Sequence, residues 1–168
     1  MSKFWVLVGS FSPFITTLQF TPNPPSLSFV SQFPVAGSPS WLANSPQFPT
    51  TIYATNETDT GSINSFSLDL NSGNLTKVAN VPTQGGAPTH LGFVNNGTAL
   101  GAANFVNGSA FIVNLDPTGS GQFTGGDSSI PFQGSGPAPN QAGPHAHQVE
   151  MVSQFRFLPT SLQTGLLF

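Results

Sequence analysis

The 168-residue chain has no cysteine, which removes disulfides and thiolate metal ligands together. Charge is almost as scarce. Charged residues make up 5% of the chain, against a usual ~25%. The only cations are Lys3, Lys77 and Arg156, and the formal net charge is −3. Nucleic acid needs clustered Lys and Arg to displace its counterions, so that class of partner is excluded. An anionic membrane surface is excluded on the same ground. No apolar run approaches the ~20 residues of a membrane span, and the one within Met1 to Gly9 is too short for a signal peptide. The expectation is a soluble, cytoplasmic protein. Asn56, Asn74, Asn96 and Asn107 each open an Asn-x-Ser/Thr sequon, but a chain rich in Asn, Ser and Thr produces these by chance. Long helices are lacking too: the 18 Gly and 16 Pro are spread throughout and no window sustains a helical period. HExxH and Gly-Lys-Ser/Thr phosphate loops are absent. His145 and His147 stand two apart without an evident third ligand, so neither a metal nor another cofactor is expected.

What the chain does have is apolar material and repetition. Sixteen Phe and 38% apolar residues suffice for a core. Gly61-Ser62-Ile63-Asn64-Ser65-Phe66-Ser67-Leu68-Asp69 returns 47 positions later as Gly108-Ser109-Ala110-Phe111-Ile112-Val113-Asn114-Leu115-Asp116. Ile15, Leu18 and Phe20 precede Ile63, Phe66 and Leu68 by 48, and Asn56 precedes Asn104 by the same interval. Pro39-Ser40-Trp41-Leu42 answers to Pro88-Thr89-His90-Leu91, 49 apart. A period of ~40–50 residues built of strands is the mark of a β-propeller blade.

Within a unit the strand signals are local. Phe66, Leu68 and Leu70 alternate with Ser65, Ser67 and Asp69, the period of a half-buried strand. Asn71-Ser72-Gly73-Asn74 and Asp116-Pro117-Thr118-Gly119 supply turns in equivalent places, and Asn95-Asn96-Gly97-Thr98 is a short-hairpin signal. The reading is an all-β chain: a partial β-propeller of about three four-stranded blades. The units are 1–35, whose strands are incomplete, then 38–82 and 87–131. A Pro/Gly-rich loop follows, a fourth unit begins at 144–150, and 151–168 is a divergent tail. Open blade edges in such a part-ring predict self-association.

Val8-Gly9-Ser10-Phe11, Pro39-Ser40-Trp41-Leu42-Ala43, Tyr53-Ala54-Thr55-Asn56-Glu57, Pro88-Thr89-His90-Leu91 and Pro144-His145-Ala146-His147-Gln148 occur in this order between residues 5 and 149. The ordered set resembles the seven-bladed propeller lactonase family, which includes 6-phosphogluconolactonase-type enzymes and fungal carboxy-cis,cis-muconate cyclases. The resemblance implies a seven-bladed ring without a metal, with a site at one mouth of its central channel. It implies a catalytic role for His147, beside Arg and Glu residues from later blades. It also implies that this chain corresponds to the N-terminal portion of such an enzyme, with a tail of the kind a frame shift or altered splicing produces. The partner is then a small lactone or a muconate-like acid.

The residues suggest the same candidates. His147 and His90 hold the blade position of Trp41, so all three converge on the axis. An imidazole with a pKa near ~6.5 can take or give a proton at neutral pH, which suits both lactone ring opening and muconate cyclisation. His147 is the catalytic candidate; His90, Glu57, Asn104 and His145 are candidates for binding substrate. Each also has a structural reading. The histidines could bond adjacent blades, Glu57 could cap the Asp59-Thr60-Gly61 turn, and Asn104, like Asn56, could hold a turn backbone. Trp41 reads as a packing residue between blades. Arg156, in the tail, is the only Arg available to clamp an anionic substrate. Three outcomes stay open: an enzyme, a binding module reusing the blades, and a non-functional fragment.

Overall fold

The structure, a computed structural model, describes residues 4–150 and Val152. Lys3, Arg156 and the tail read at 151–168 lie, Val152 apart, outside the described residues.

Among the described residues, eleven strands form three separate antiparallel sheets. The first holds β1 (Phe4–Val8), β2 (Phe14–Pro22) and β3 (Pro25–Pro34), in that order. The second holds β4 (Leu42–Asn44), β5 (Thr51–Asn56), β6 (Ser62–Leu68) and β7 (Leu75–Pro82). The third repeats it with β8 (Pro88–Val94), β9 (Ala99–Asn104), β10 (Ser109–Leu115) and β11 (Phe123–Pro131). This is an all-β partial propeller with sequential up-and-down blades. By the 47- and 48-residue repeats β1, β2 and β3 correspond to β5, β6 and β7. The first sheet therefore has three described strands where its successors have four, and the vacant place is that of β4 and β8.

The turns form for the reasons their residues suggest. Asp69 accepts the Asn71 N–H at 2.9 Å and the Ser72 hydroxyl at 2.5 Å. Asp116 accepts the Thr118 N–H at 2.9 Å, the Thr118 hydroxyl at 2.8 Å and the Ser120 hydroxyl. The Ser72 hydroxyl and Asn71 N–H hold Asp69 below its ordinary pKa, and the Ser120 hydroxyl and Thr118 groups do the same for Asp116. The Asn95–Gly97 segment is a 3-10 turn with Asn96 at φ 56 and Gly97 at φ 85, joining β8 to β9.

Alternation in the strands produces a core at each junction between sheets. Ile15, Ile52, Ala54, Phe66, Leu68 and Leu75 fill the first junction, with Trp5, Leu7 and Phe33 at its margin. Tyr53, Ile63, Leu91, Leu100, Phe111 and Val113 fill the second. On β6, Ile63 faces forward and Phe66 backward, so one strand serves both cores.

Candidate functional site

The site grows from the start of the innermost strands. Before β4, Trp41 is fixed by Thr55 on β5: its N–H donates to Thr55 Oγ1 at 2.9 Å, and the Ser40 and Thr55 hydroxyls pair at 3.1 Å. In the next sheet the register slips between Pro88 and His90. Leu91 points back into the second core, so the opposite face of the strand carries His90. Its ring lies 4.1 Å from that of Trp41, at 47°, and the residue is only 7% exposed, while Trp41 keeps 40% exposure. The bridge between sheets is thus a tilted contact between an indole and an imidazole.

Burial holds the His90 imidazole below its ordinary pKa of 6.5; His147 adds to that effect and the Glu150 carboxylate opposes it. The Val149 N–H lies 3.4 Å from His90 Nδ1 and can only donate, so Nδ1 accepts and the neutral ring carries its proton on Nε2. A neutral donor is what this position offers.

Beyond the third sheet the chain returns across its far face. Thr89 Oγ1 donates to the His147 carbonyl at 3.0 Å, which places His147 next to His90. Phe105, just after β9, lies between two histidines. His145 stacks on it at 4.5 Å and 20°, and the exposed His147 meets it edge-on at 6.0 Å and 89°. His145 Nδ1–H donates to the Phe105 carbonyl at 3.1 Å, and its backbone is left-handed at φ 43. Gln148 Nε2 donates to Glu150 Oε1 at 2.7 Å.

The structure thus gathers His90, His145 and His147. Glu57 occupies in its own blade the place of Phe105: the Glu57 N–H donates to the Ser38 carbonyl and the Phe105 N–H to the Ala87 carbonyl, both at 2.9 Å. Among the described residues no hydrogen bond joins the Glu57 carboxylate to a histidine. Asn104 lies inside its sheet at 0% exposure, donating from Nδ2 to the Thr83 carbonyl at 3.1 Å and to Ser109 Oγ at 3.0 Å. Asn56 repeats that bond with Ser62 at 3.0 Å. Sequence reasoning did not find Phe105 as the surface shared by two histidines, nor Glu150 as a charge acting on His90. The signal for Phe105 was available in its alignment with Glu57.

Among the described residues no group of three or more His, Asp or Glu is arranged to hold a metal ion. An open hollow of about 460 Å³ adjoins His145, lined also by Gln133, Gln141 and Pro144. A second of about 450 Å³, walled by Trp5, Leu42 and Leu68 among others, contains none of the candidate residues.

Sheets stacked side by side, each repeating its predecessor, define a partial propeller, with the candidate histidines gathered beside its third sheet. Residues 5–161 match the family described as Lactonase, 7-bladed beta-propeller, and the chain belongs to that family. Among solved structures it is similar to a candidate 6-phosphogluconolactonase from Bacteroides fragilis, with 27% identity and a TM-score of 0.72 over 83% of this chain and 39% of that one. A second such candidate, from Bacteroides uniformis, has 26% identity and a TM-score of 0.74 over 86% of this chain and 43% of that one. The periplasmic gluconolactonase of Pseudomonas aeruginosa, at 23% identity, shares the fold with a TM-score of 0.77 over 90% and 44% of the two chains. The chain thus spans about two fifths of the length of these proteins. No curated protein is significantly similar to it.

Proposed function

We propose that this chain opens the ring of a neutral sugar lactone, with His147 as general base and His90 as a neutral hydrogen-bond donor. The supporting observation is the tilted His90–Trp41 ring contact, 4.1 Å between centroids, with His147 close enough to bear on the His90 charge. In the reaction, water attacks the lactone carbonyl carbon as His147 takes its proton. The tetrahedral intermediate collapses, the ring C–O bond breaks, and the proton on His147 passes to the departing alkoxide. His90 Nε2–H stabilises the oxygen that gains charge, and the indole of Trp41 covers an apolar sugar face. Asn104 positions the end of β9, from which Phe105 carries His145 and His147.

Charge selects the substrate class. Among the described residues Lys77 is the only Lys or Arg, and it lies on β7, the outermost strand of its sheet. Glu57 and Glu150 are the acids near the candidate residues. A phosphorylated lactone or a muconate-type polycarboxylate would meet repulsion there without an Arg fork.

The test is the ring opening of glucono-δ-lactone followed by proton release at constant pH. The expected result is turnover above the spontaneous rate, reduced about 100-fold or more in His147→Ala, as loss of a general base demands. Wild-type protein indistinguishable from buffer would refute ring opening. Saturable binding of the lactone without turnover would instead support a binding module.

A further inference from the structure

On β6 the side chains that face the first junction are Ser62, Asn64, Phe66 and Leu68, alternate residues of one strand. Phe66 and Leu68 fill the core there. Asn64, on the same face, is only 4% exposed, yet it carries an amide where its neighbours are apolar. Its counterpart 47 residues on is Phe111, whose ring belongs to the core of the second junction. Where the second junction has that ring, the first opens on a hollow of about 390 Å³ lined by Asn64, Ser62, Lys77 and Asn80 among others. The walls come from residues between 36 and 82, and no Asp or Glu is among them.

Asn80, opposite Asn64 on β7, decides which groups stay free. Its Nδ2 stands 2.9 Å from Ser62 Oγ, 2.9 Å from Asn64 Oδ1 and 3.3 Å from the Ile63 carbonyl, sharing two protons among three acceptors. The Ile63 carbonyl can only accept, so the amino end of Asn80 lies on that side and Asn64 turns its oxygen toward it. Asn64 Nδ2 is left over, and among the described residues it has no hydrogen-bond partner. An unmatched donor on a side chain this buried is costly unless something accepts from it. Ser62 Oγ accepts from Asn80 and, at 3.0 Å, from Asn56 Nδ2, which leaves its own proton to donate. Lys77, paired with Phe66 across the two strands, adds an ammonium to the same hollow.

We propose that this hollow binds a small hydroxylated carboxylate, at a site separate from the histidines. The Lys77 ammonium balances the carboxylate charge, and Asn64 Nδ2 and the Ser62 hydroxyl donate to its oxygens. One ammonium offsets one negative charge, which favours a carboxylate over a phosphate ester carrying ~1.5–2 charges. The absence of acids from the walls leaves nothing there to repel the anion. Amides and hydroxyls, rather than rings, line the hollow and suit a ligand with hydroxyls of its own. Its volume lies at the lower end of the ~300–1,000 Å³ that small-molecule sites occupy, room for one short acid and not for a polymer.

The inference does not rest on lactone ring opening and is read by binding alone. Sodium gluconate is titrated into the ¹⁵N-labelled 168-residue protein, with sorbitol and inorganic phosphate as comparisons. The expected result is a saturable shift of the Asn64 side-chain amide signals with gluconate. Affinity should fall at least about tenfold in Lys77→Gln, and sorbitol, which has the hydroxyls without the carboxylate, should bind at least about tenfold more weakly. Three results overturn the proposal: no shift at Asn64, sorbitol matching gluconate, or phosphate binding more tightly than gluconate. Gluconate binding that Lys77→Gln leaves unchanged also refutes it. Binding that His147→Ala abolishes does the same, because it places the ligand at the histidines. Asn64→Leu, which removes the free donor, should weaken gluconate as Lys77→Gln does. Should Asn64→Leu fail to fold, Lys77→Gln decides the matter, since Lys77 is exposed on the outermost strand of its sheet.

Discussion

The second and third blades can be read against each other position by position, and they agree where the chain is being built and differ where the candidate chemistry lies. Asn56 and Asn104 each reach the serine that opens the next strand, Ser62 and Ser109, at 3.0 Å. Gly37 and Gly85 close on those two asparagines: a Cβ at Gly85 would lie 2.5 Å from the Asn104 amide nitrogen, and one at Gly37 would overlap the Asn56 side chain. Yet Trp41 becomes His90 and Glu57 becomes Phe105. Two copies of one scaffold thus present an indole and a carboxylate from one blade, an imidazole and a phenyl ring from the next. The repeat supplies placement, and its departures change which side chains are offered there.

If the two junctions are equivalent in construction, truncating the largest side chain in either should cost the same. Phe66→Ala at the first and Phe111→Ala at the second each remove a ring at most 2% exposed, for an expected loss of about 3–5 kcal/mol. Urea unfolding measures both, and a loss confined to one would show that the other junction is loosely packed.

The asparagine clamps should separate the blades on a smaller scale. Asn104→Ala leaves the Thr83 carbonyl and Ser109 hydroxyl without their donor inside a closed sheet, costing about 1–3 kcal/mol. Asn56 is more exposed and has one such bond, so Asn56→Ala should cost less. Equal losses would break the distinction drawn from burial.

Two titrations sharpen it further. Tyr53, the only tyrosine of the chain, belongs to the second core, where burial and then Asp116 raise its pKa to about 12. Its folded value exceeds the unfolded value of 10.0, so its contribution to stability is complete below pH 10 and is lost as pH rises toward 12. Ultraviolet absorbance should show no phenolate near pH 10.5 in folded protein. For His90 the sign is reversed. Its folded pKa is depressed, so the unfolded chain binds the proton first. Stability is therefore full above pH 6.5 and declines as pH falls below it. Thermal melts between pH 7.5 and 5 should fall less steeply in His90→Gln.

Much of this architecture could be read from spacing alone. Repeats 47 to 49 residues apart located equivalent positions, and alternation in Phe66-Ser67-Leu68 assigned faces, because propeller blades are made by local up-and-down pairing. The three-strand count of the first sheet was legible only as incompleteness, since the repeat does not say which strand position is vacant. Within the candidate site, the order of Trp41, His90 and His147 was visible in the chain. The tilted contact between the Trp41 and His90 rings was not, since it joins side chains 49 positions apart whose orientation no spacing specifies. Phe105 was passed over because a phenylalanine among sixteen carries no chemical flag. Asn104 drew notice as a polar repeat residue, and only the structure shows that its buried amide bonds through Nδ2 while Oδ1 has no partner among the described residues.

Proton NMR of the imidazoles, assigned by replacing His90, His145 and His147 in turn with Gln, tests the arrangement of the site most directly. The account predicts that the His90 ring signals are displaced upfield by the Trp41 indole, return toward free-histidine positions in Trp41→Ala, and titrate below pH 6.5. Signals at ordinary positions that ignore Trp41→Ala would contradict it.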